Sequence, residues 1–483
     1  HSMVSSRGTP DPALPRACSR RLRLRPRRLG SEALRLMQHW GRQRYHCWVS
    51  TCTGVLTLWM LLFGWSTPSK AEDNVDPASQ WGGYIRAIGT LSYPDDQSIY
   101  QFTDTDTFYD RQAELRLKHQ LFLMSQLAFE THYELVALRG DTLKNNHRLR
   151  ATLPAATANR LVGNDAINDD HRLMNLTRTL QEGEDHLIYH RLDRLNLTYT
   201  TDRGTLRMGR QALTWGNGML FNPMDLFNPF APTAIQRDYK LGEDMLHLQR
   251  PLADGEAQLL YLPRRDTTSG EIENDQSSLA GKWHFPLRAM EVDLMAAQHY
   301  NDVILAAGAS GYLGGAAWRS DLVYTILDDE ETANDFWQLV ANMDYAWQWG
   351  GKNIYGLIEF YYNSLGKSKD YTRALEDPSI SERISRGELF TLGNTYLAGQ
   401  IQVELHPLVQ THLITIINLT DPSLIFQPQL AWDVGTNFQI ILGAGFNWGH
   451  DGSEFGGFDT TVGGSTIKVT PTDSRYLWLT YYF

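Results

Sequence analysis

After residue 72 the chain alternates. In RQAELRLKHQL, residues 111–121, Ala113, Leu115 and Leu117 face one way, and Gln112, Glu114, Arg116, Lys118 and Gln120 face the other. WQLVANMDYAWQW (337–349), YLAGQIQVEL (396–405) and FQIILGAGFNW (438–448) repeat the pattern. A period of two marks strands with one apolar face. These stretches run for about 9–16 residues, where strands of soluble proteins usually have about 5–6. Their apolar faces carry Trp or Tyr near the ends, as the girdles of membrane barrels do. No stretch after residue 72 has the roughly 18 consecutive apolar residues of a helical span. The expected fold is therefore all-β: a single antiparallel transmembrane β-barrel over residues 72–483.

Eighteen candidate strands can be drawn, from 81–93 to 475–483, with 16 as the alternative count. Their connections alternate between tight and long. The main long ones are 140–186, 214–243, 366–390 and 450–474, and the short joins after the ninth and fifteenth strands interrupt the pattern. Tight turns at one end and long loops at the other are the build of an outer-membrane barrel, with the turns periplasmic and the loops extracellular.

The N-terminal segment differs in charge. Residues 1–71 hold 12 Lys and Arg against 2 Asp and Glu, and the remainder holds 32 against 53. An acidic balance argues against a nucleic-acid partner. Residues 37–71 read as a secretory signal peptide: Arg42 and Arg44, an apolar run VLTLWMLLFGW, then Ser69 and Ala71 at small-residue cleavage positions. Residues 1–36, rich in Arg, are expected not to belong to the mature protein. All three Cys (18, 47 and 52) precede residue 72, which suits a chain that crosses an oxidising compartment.

The chain ends RYLWLTYYF, with Leu477, Leu479, Tyr481 and Phe483 on one face. This resembles the closing strand of Gram-negative outer-membrane barrels, and the resemblance implies recognition of Phe483 by the barrel-assembly machinery. Gly209-Arg210-Gln211, Trp215-Gly216 and Asn222-Pro223-x-Asp225 together resemble a family of porin-like outer-membrane proteins without an agreed substrate. More loosely, the chain is similar to alginate-export-type porins. The resemblance implies an outer-membrane location, with outer-membrane lipid and lipopolysaccharide as partners. It leaves a homo-oligomer open.

A barrel of this size has room for a wet lumen. Alternation turns Glu114, Arg116, Lys118, Glu130, His132, Glu134, Arg194, Arg207, Glu291, Asp293, Arg319, Asp321, Asp344, Glu359, Glu404 and Asp433 inward as pore-lining residues. Acids outnumber bases there, which favours cations or neutral polar solutes. Ordinary cross-strand ion pairs in a wet wall are the other reading. No enzyme site, cofactor motif or metal site is expected. GHDGSEFGG (449–457) lacks the Ser-Asn pair of a barrel phospholipase, and Asp169-Asp170-His171 reads as a solvated loop. His119 and His132 are placed to meet across a hairpin, but read as wall. The 140–186 loop carries Leu and Met spacing for a short helix in DDHRLMNLTRTLQEGED.

The stretch 214–243 is apolar for a loop, with Met219, Leu220, Phe221, Met224, Leu226, Phe227 and Phe230 among two Phe-Asn-Pro steps. Asn222 and Asn228 are positioned to cap helical turns that begin at Pro223 and Pro229. So much apolar surface is costly in water. The expectation is an inward fold against the wall, with Trp215, Phe221, Asn222, Pro223, Asp225, Phe227, Asn228, Pro229 and Phe230 forming a constriction. A hydrophobic knot over the rim is the alternative. The leading functional expectation is a channel, or the exit of an export system. A non-conducting receptor, adhesin or scaffold is the runner-up.

Overall fold

The computed structural model describes residues 78–102, 106–152, 167–229, 231–232, 239–328, 334–462 and 465–483. The expected upstream segment, signal peptide and Phe230 lie outside the described residues.

Eighteen antiparallel strands form one closed sheet: β1 (Ser79–Tyr93), β2 (Phe108–Met124), β3 (Leu127–Gly140), β4 (His186–Thr201), β5 (Gly204–Gln211), β6 (Glu243–Leu252), β7 (Gly255–Leu262), β8 (Ser278–Leu287), β9 (Met290–His299), β10 (Asp302–Leu313), β11 (Ala316–Ile326), β12 (Phe336–Trp349), β13 (Lys352–Asn363), β14 (Thr395–His406), β15 (Val409–Asn418), β16 (Ser423–Asp433), β17 (Phe438–Trp448) and β18 (Asp473–Tyr482). Each pairs with its sequence neighbours. β1 also pairs with β18, with Tyr84 opposite Tyr482 and Tyr93 opposite Asp473. Closure satisfies the edge hydrogen bonds that an open sheet would leave exposed.

The connections divide as the alternation predicts. β10–β11 and β12–β13 turn on Gly314-Gly315 and Gly350-Gly351, all four with positive φ. Such φ values suit two-residue hairpins whose twist matches that of the strands. At the opposite end lie the long loops, interrupted by the two-residue Tyr300-Asn301 link and by residues 419–422.

The outer surface is apolar between two aromatic belts. Trp81, Tyr312 and Trp349 are 65, 82 and 77 % exposed near the turn end. Tyr109, Tyr261, Tyr324, Trp337 and Trp448 are exposed near the loop end, with Leu246, Leu259, Leu305, Leu322 and Leu442 also exposed on the outer face. In water this surface would be untenable. Facing a bilayer, it is the apolar band and double girdle of a membrane barrel.

Two expectations are corrected. Residues 169–185 form no helix: Thr177–Glu182 is a strand on β4, with Thr177 opposite Arg191 and Glu182 opposite Leu187. The cause is the length of β5. Its eight residues pair only with Leu195–Thr201, so the loop end of β4 needs another partner for its backbone groups. The helix of this loop lies earlier, as α1 (Asp141–Thr152). His119 and His132, both read as lumen wall, do not meet, and only His132 faces the lumen. Thr131 stands opposite His119, whose ring stacks on exposed Trp81 at 4.0 Å, while His132 pairs inward with Glu130 at 3.2 Å.

Candidate functional site: the lumen and its inward loop

The inner wall is not polar all round, contrary to the alternation-based expectation. From β6 to β16 it carries Met245, Leu260, Leu262, Met295, Ile304, Val323, Val340, Ile414 and Ile416, all buried. The described residues of the loop between β5 and β6 cover this apolar arc from inside. Trp215, Met224 and Phe227 pack on the β6–β11 portion. Phe221 joins Val340, Tyr361, Tyr396 and Ile416 further round, stacked on Tyr361 at 4.4 Å with ring planes 6° apart. The loop's apolar residues are thus matched by inward apolar residues that interrupt the polar face of the wall.

Polar anchors fix the path. Three consecutive N–H groups, of Met219, Leu220 and Phe221, donate to the Glu359 carboxylate at 2.7, 3.0 and 2.7 Å. The Asn217 N–H and its side-chain amide donate to the two oxygens of Asp321 at 2.6 and 2.7 Å. Asn342 joins both groups, donating to the Asn217 carbonyl at 3.0 Å and to Glu359 at 3.1 Å. The Trp215 indole donates to Gln258 at 2.7 Å. Glu359 and Asp321 therefore act here as buried acceptors for loop backbone.

The expected Asn caps do not form. Asn222 donates its amide to the Trp215 carbonyl at 2.9 Å, and the backbone makes only a turn, with the Asp225 N–H on the Asn222 carbonyl at 3.1 Å. Asn228 has φ +66° and donates to the Leu241 carbonyl at 3.2 Å. Wall packing, not helix formation, settles the backbone path. Pro223 sits in the turn, and Pro229 follows the left-handed Asn228. Asp225 forms a buried ion pair with Lys240, tying the loop's middle to its return limb. Burial pushes the Asp225 carboxyl up to about 6, against the pull of the Lys240 charge. Burial likewise lowers Lys240.

The return limb is held by the β1–β4 side of the wall. Tyr239 meets the Lys118 ammonium through its hydroxyl, and the Arg116 guanidinium lies 4.2 Å from its ring. Arg194 donates to the Lys240 carbonyl at 2.6 Å, and the Gly242 N–H donates to Asp193 at 3.1 Å. Asp193 also pairs with Arg116 and Arg194. Asp193 was missed in the sequence because β3 and β4 shift register between His132 and Tyr133, which brings Arg191, Asp193 and Arg194 all to the lumen. Strict alternation allows only one of two neighbours to face in.

Most remaining wall charges are paired. Glu134 holds Arg116 at 3.2 Å and also Arg191, Arg319 binds Asp344 at 2.6 Å, and Asp293 binds Lys282 at 3.2 Å. Glu114 accepts from the Tyr84 hydroxyl. Toward the turn end, Arg207 donates to Thr198, Glu291 pairs with His284 at 3.4 Å, Glu404 accepts from Asn353 and Asp433 from Gln439. These do not gather into one cluster with the loop. A lumenal cavity of about 540 Å³ remains on the β1–β4 side, lined in part by Tyr84, Arg86, Glu114, Arg116, Glu134, Arg191 and Tyr239.

Arg210 also has a structural task. It binds Asp244 at 2.8 Å and Asp169 at 3.0 Å, clipping the 141–185 loop to the wall. Asp169 is held below the usual carboxylate range: burial works upward, but the charges and hydrogen bonds of Arg210 and Arg172 outweigh it.

One grouping was not visible in the sequence. The Ser278 hydroxyl lies 2.8 Å from His299 Nδ1, and His299 Nε2 lies 3.3 Å from Glu388. Ser278 is buried and accepts from Arg264 at 2.9 Å, and the adjacent cavity is only about 40 Å³. That is room for about one water. Glu388 belongs to the 364–394 loop, which contains α2 (Tyr371–Glu376) and α3 (Pro378–Ser385). Arg383 pairs with Asp302, and Arg386 lies 3.7 Å from the Tyr300 ring, so this cluster fastens that loop over the short β9–β10 link.

No family model and no curated protein sequence matches the chain. Solved structures similar to it are outer-membrane porin barrels. OccAB4 of Acinetobacter baumannii is 9 % identical, with a TM-score of 0.46 over 85 % of this chain and 100 % of that one. OccK5 of Pseudomonas aeruginosa is 9 % identical, with a TM-score of 0.46 over 83 and 98 %. A BenF-like porin of Pseudomonas fluorescens Pf-5 is 10 % identical, with a TM-score of 0.45 over 84 and 98 %. At this distance the description rests on the chain's own geometry: a closed 18-stranded antiparallel β-barrel with a loop hydrogen-bonded to its inner wall.

Proposed function

We propose that the protein is a porin-like channel of the bacterial outer membrane. It passes small polar solutes, and residues 212–242 narrow its lumen. The observation that carries this reading is the Glu359 carboxylate taking three consecutive loop N–H groups, which fixes the loop inside the barrel. The ion-paired wall, with Asp321 and Glu359 taken up by the loop, supports polar solutes more than a strong preference for cations. Single-channel recording in planar bilayers tests it. Stable conductance steps are expected, with larger steps after deletion of residues 219–232. A folded, heat-modifiable protein that never conducts would overturn the channel, and an unchanged step after deletion would overturn the constriction.

A non-conducting receptor or scaffold is the second reading. It draws on the packing of Ile99, Leu149 and Ile467, from three different loops, into one cluster.

A further inference from the structure

The outer face of β18, β1, β2 and β3 departs from the apolar belt in two ways. First, it is hollow. Gly89, Ala87, Ala113 and Ala137 stand where neighbouring strands carry leucine, and they help line a groove of about 830 Å³ with Leu477 and Ile188. Gly89 is central. It pairs with Arg111 on one side and Leu477 on the other. A Cβ built there would meet nothing within 4 Å, and its φ is not in the left-handed region. Among the described residues nothing requires glycine at this position, and glycine weakens a strand interior. A glycine here leaves the strand surface open to close approach from outside the chain.

Second, the loop-side rim of the groove is basic. Arg111 and Arg139 are direct cross-strand neighbours on the outer face, and His186 stands opposite Arg139. Like charges directly opposite are destabilising. Among the described residues only Asp185 answers them, 3.0 Å from Arg139, whose side chain is 74 % exposed. No ion pair reaches Arg111 among the described residues. The site thus joins an apolar row of Ala87, Ala113 and Ala137 to two adjacent guanidinium groups, which share the next outward-facing row toward the loop end with Gly89.

We infer that this face binds a phosphorylated, acylated glycolipid of the outer leaflet, of the lipid A type. One acyl chain lies over Gly89 in the groove, and a phosphate bridges Arg111 and Arg139. Guanidinium groups bind phosphate as planar forks, so one phosphate between two of them removes the like-charge penalty. A second copy of the chain is the poorer occupant, because it would have to bring acidic groups to an otherwise lipid-facing surface.

The test is native mass spectrometry of the full barrel in detergent, loaded with hexa-acyl bisphosphoryl lipid A, and in parallel with its dephosphorylated form and with inorganic phosphate. Expected is one retained bisphosphoryl lipid A, poor retention of the dephosphorylated form and none of phosphate alone. The double variant R111Q/R139Q should retain the lipid about thirty-fold less well. G89L, which fills the groove and leaves the arginines, should also lose it. R203Q, in a turn at the opposite end, should behave as wild type. Each variant is first shown to be folded by heat-modifiable migration. Equal retention by wild type, R111Q/R139Q and G89L would overturn the site. So would variants that shift the ratio of monomer to oligomer without changing lipid retention, since the face would then be an interface between copies. The assay reads lipid and not conductance, so its failure is separate from failure of the channel reading.

Discussion

Single residues hold the lumen in its present shape. Glu359→Gln keeps one oxygen acceptor but turns an amide donor toward loop N–H groups. Hydrogen bonds to a charged group are worth about 1.5–3 kcal/mol each. The variant is therefore expected to weaken loop docking by about 3 kcal/mol and to give larger, noisier conductance steps. Trp215→Ala removes the side chain that joins the loop to Gln258 and the β6–β11 wall; its cost is about 3–5 kcal/mol, read as a lower unfolding temperature. Asp225 gives a pH dependence with a definite sign. Its carboxyl titrates near 6 in the docked loop, against an ordinary value of 3.8. The docked loop thus takes up a proton between these values. This contribution to docking is full below about pH 3.8 and is lost as pH rises through about 6. Loop-opening noise should therefore be lower at pH 4 than at pH 7, and Asp225→Asn should flatten that difference.

At the scale of elements, strands were legible and loops only in part: the inward course of the loop after β5 could be read, its backbone path could not. Alternation located all eighteen strands because each must present one face to lipid, and a one-residue error would reverse every side chain. The short joins after β9 and β15 also stand in the structure. The unexpected strand at Thr177–Glu182 answers an unpaired edge of β4, which local sequence does not advertise. Asp193 was hidden by the same limit: a register shift is a relation between two strands. The inner wall shows the reverse case. Leu260, Met295 and Val340 were visible as residues, but their facing inward acquires meaning only once Trp215, Met224 and Phe221 lie on them. At the turns, Gly350→Val would force a β-branched residue into positive φ. It is expected to lower stability by about 1–3 kcal/mol, measurable as a lower midpoint in a urea titration of barrel folding.

For the whole molecule, the exterior and the interior follow different rules. The outer face needs only apolarity between two aromatic belts, so its residues are interchangeable over wide areas; the hollow around Gly89 stands out for that reason. The lumen needs specific partners, and pairing of its acids with arginines or loop amides sets how much free charge lines it. The cylinder itself is not uniform. Every barrel strand is hydrogen-bonded along both edges, but Thr177–Glu182 pairs as a strand only with β4. At that place the wall is completed by a loop segment that can leave without unzipping the barrel. Amide hydrogen exchange reports such local opening directly. The amides of residues 177–182 should exchange well before those of β12 and β13, which marks this strip as the point where the cylinder first opens sideways to the bilayer.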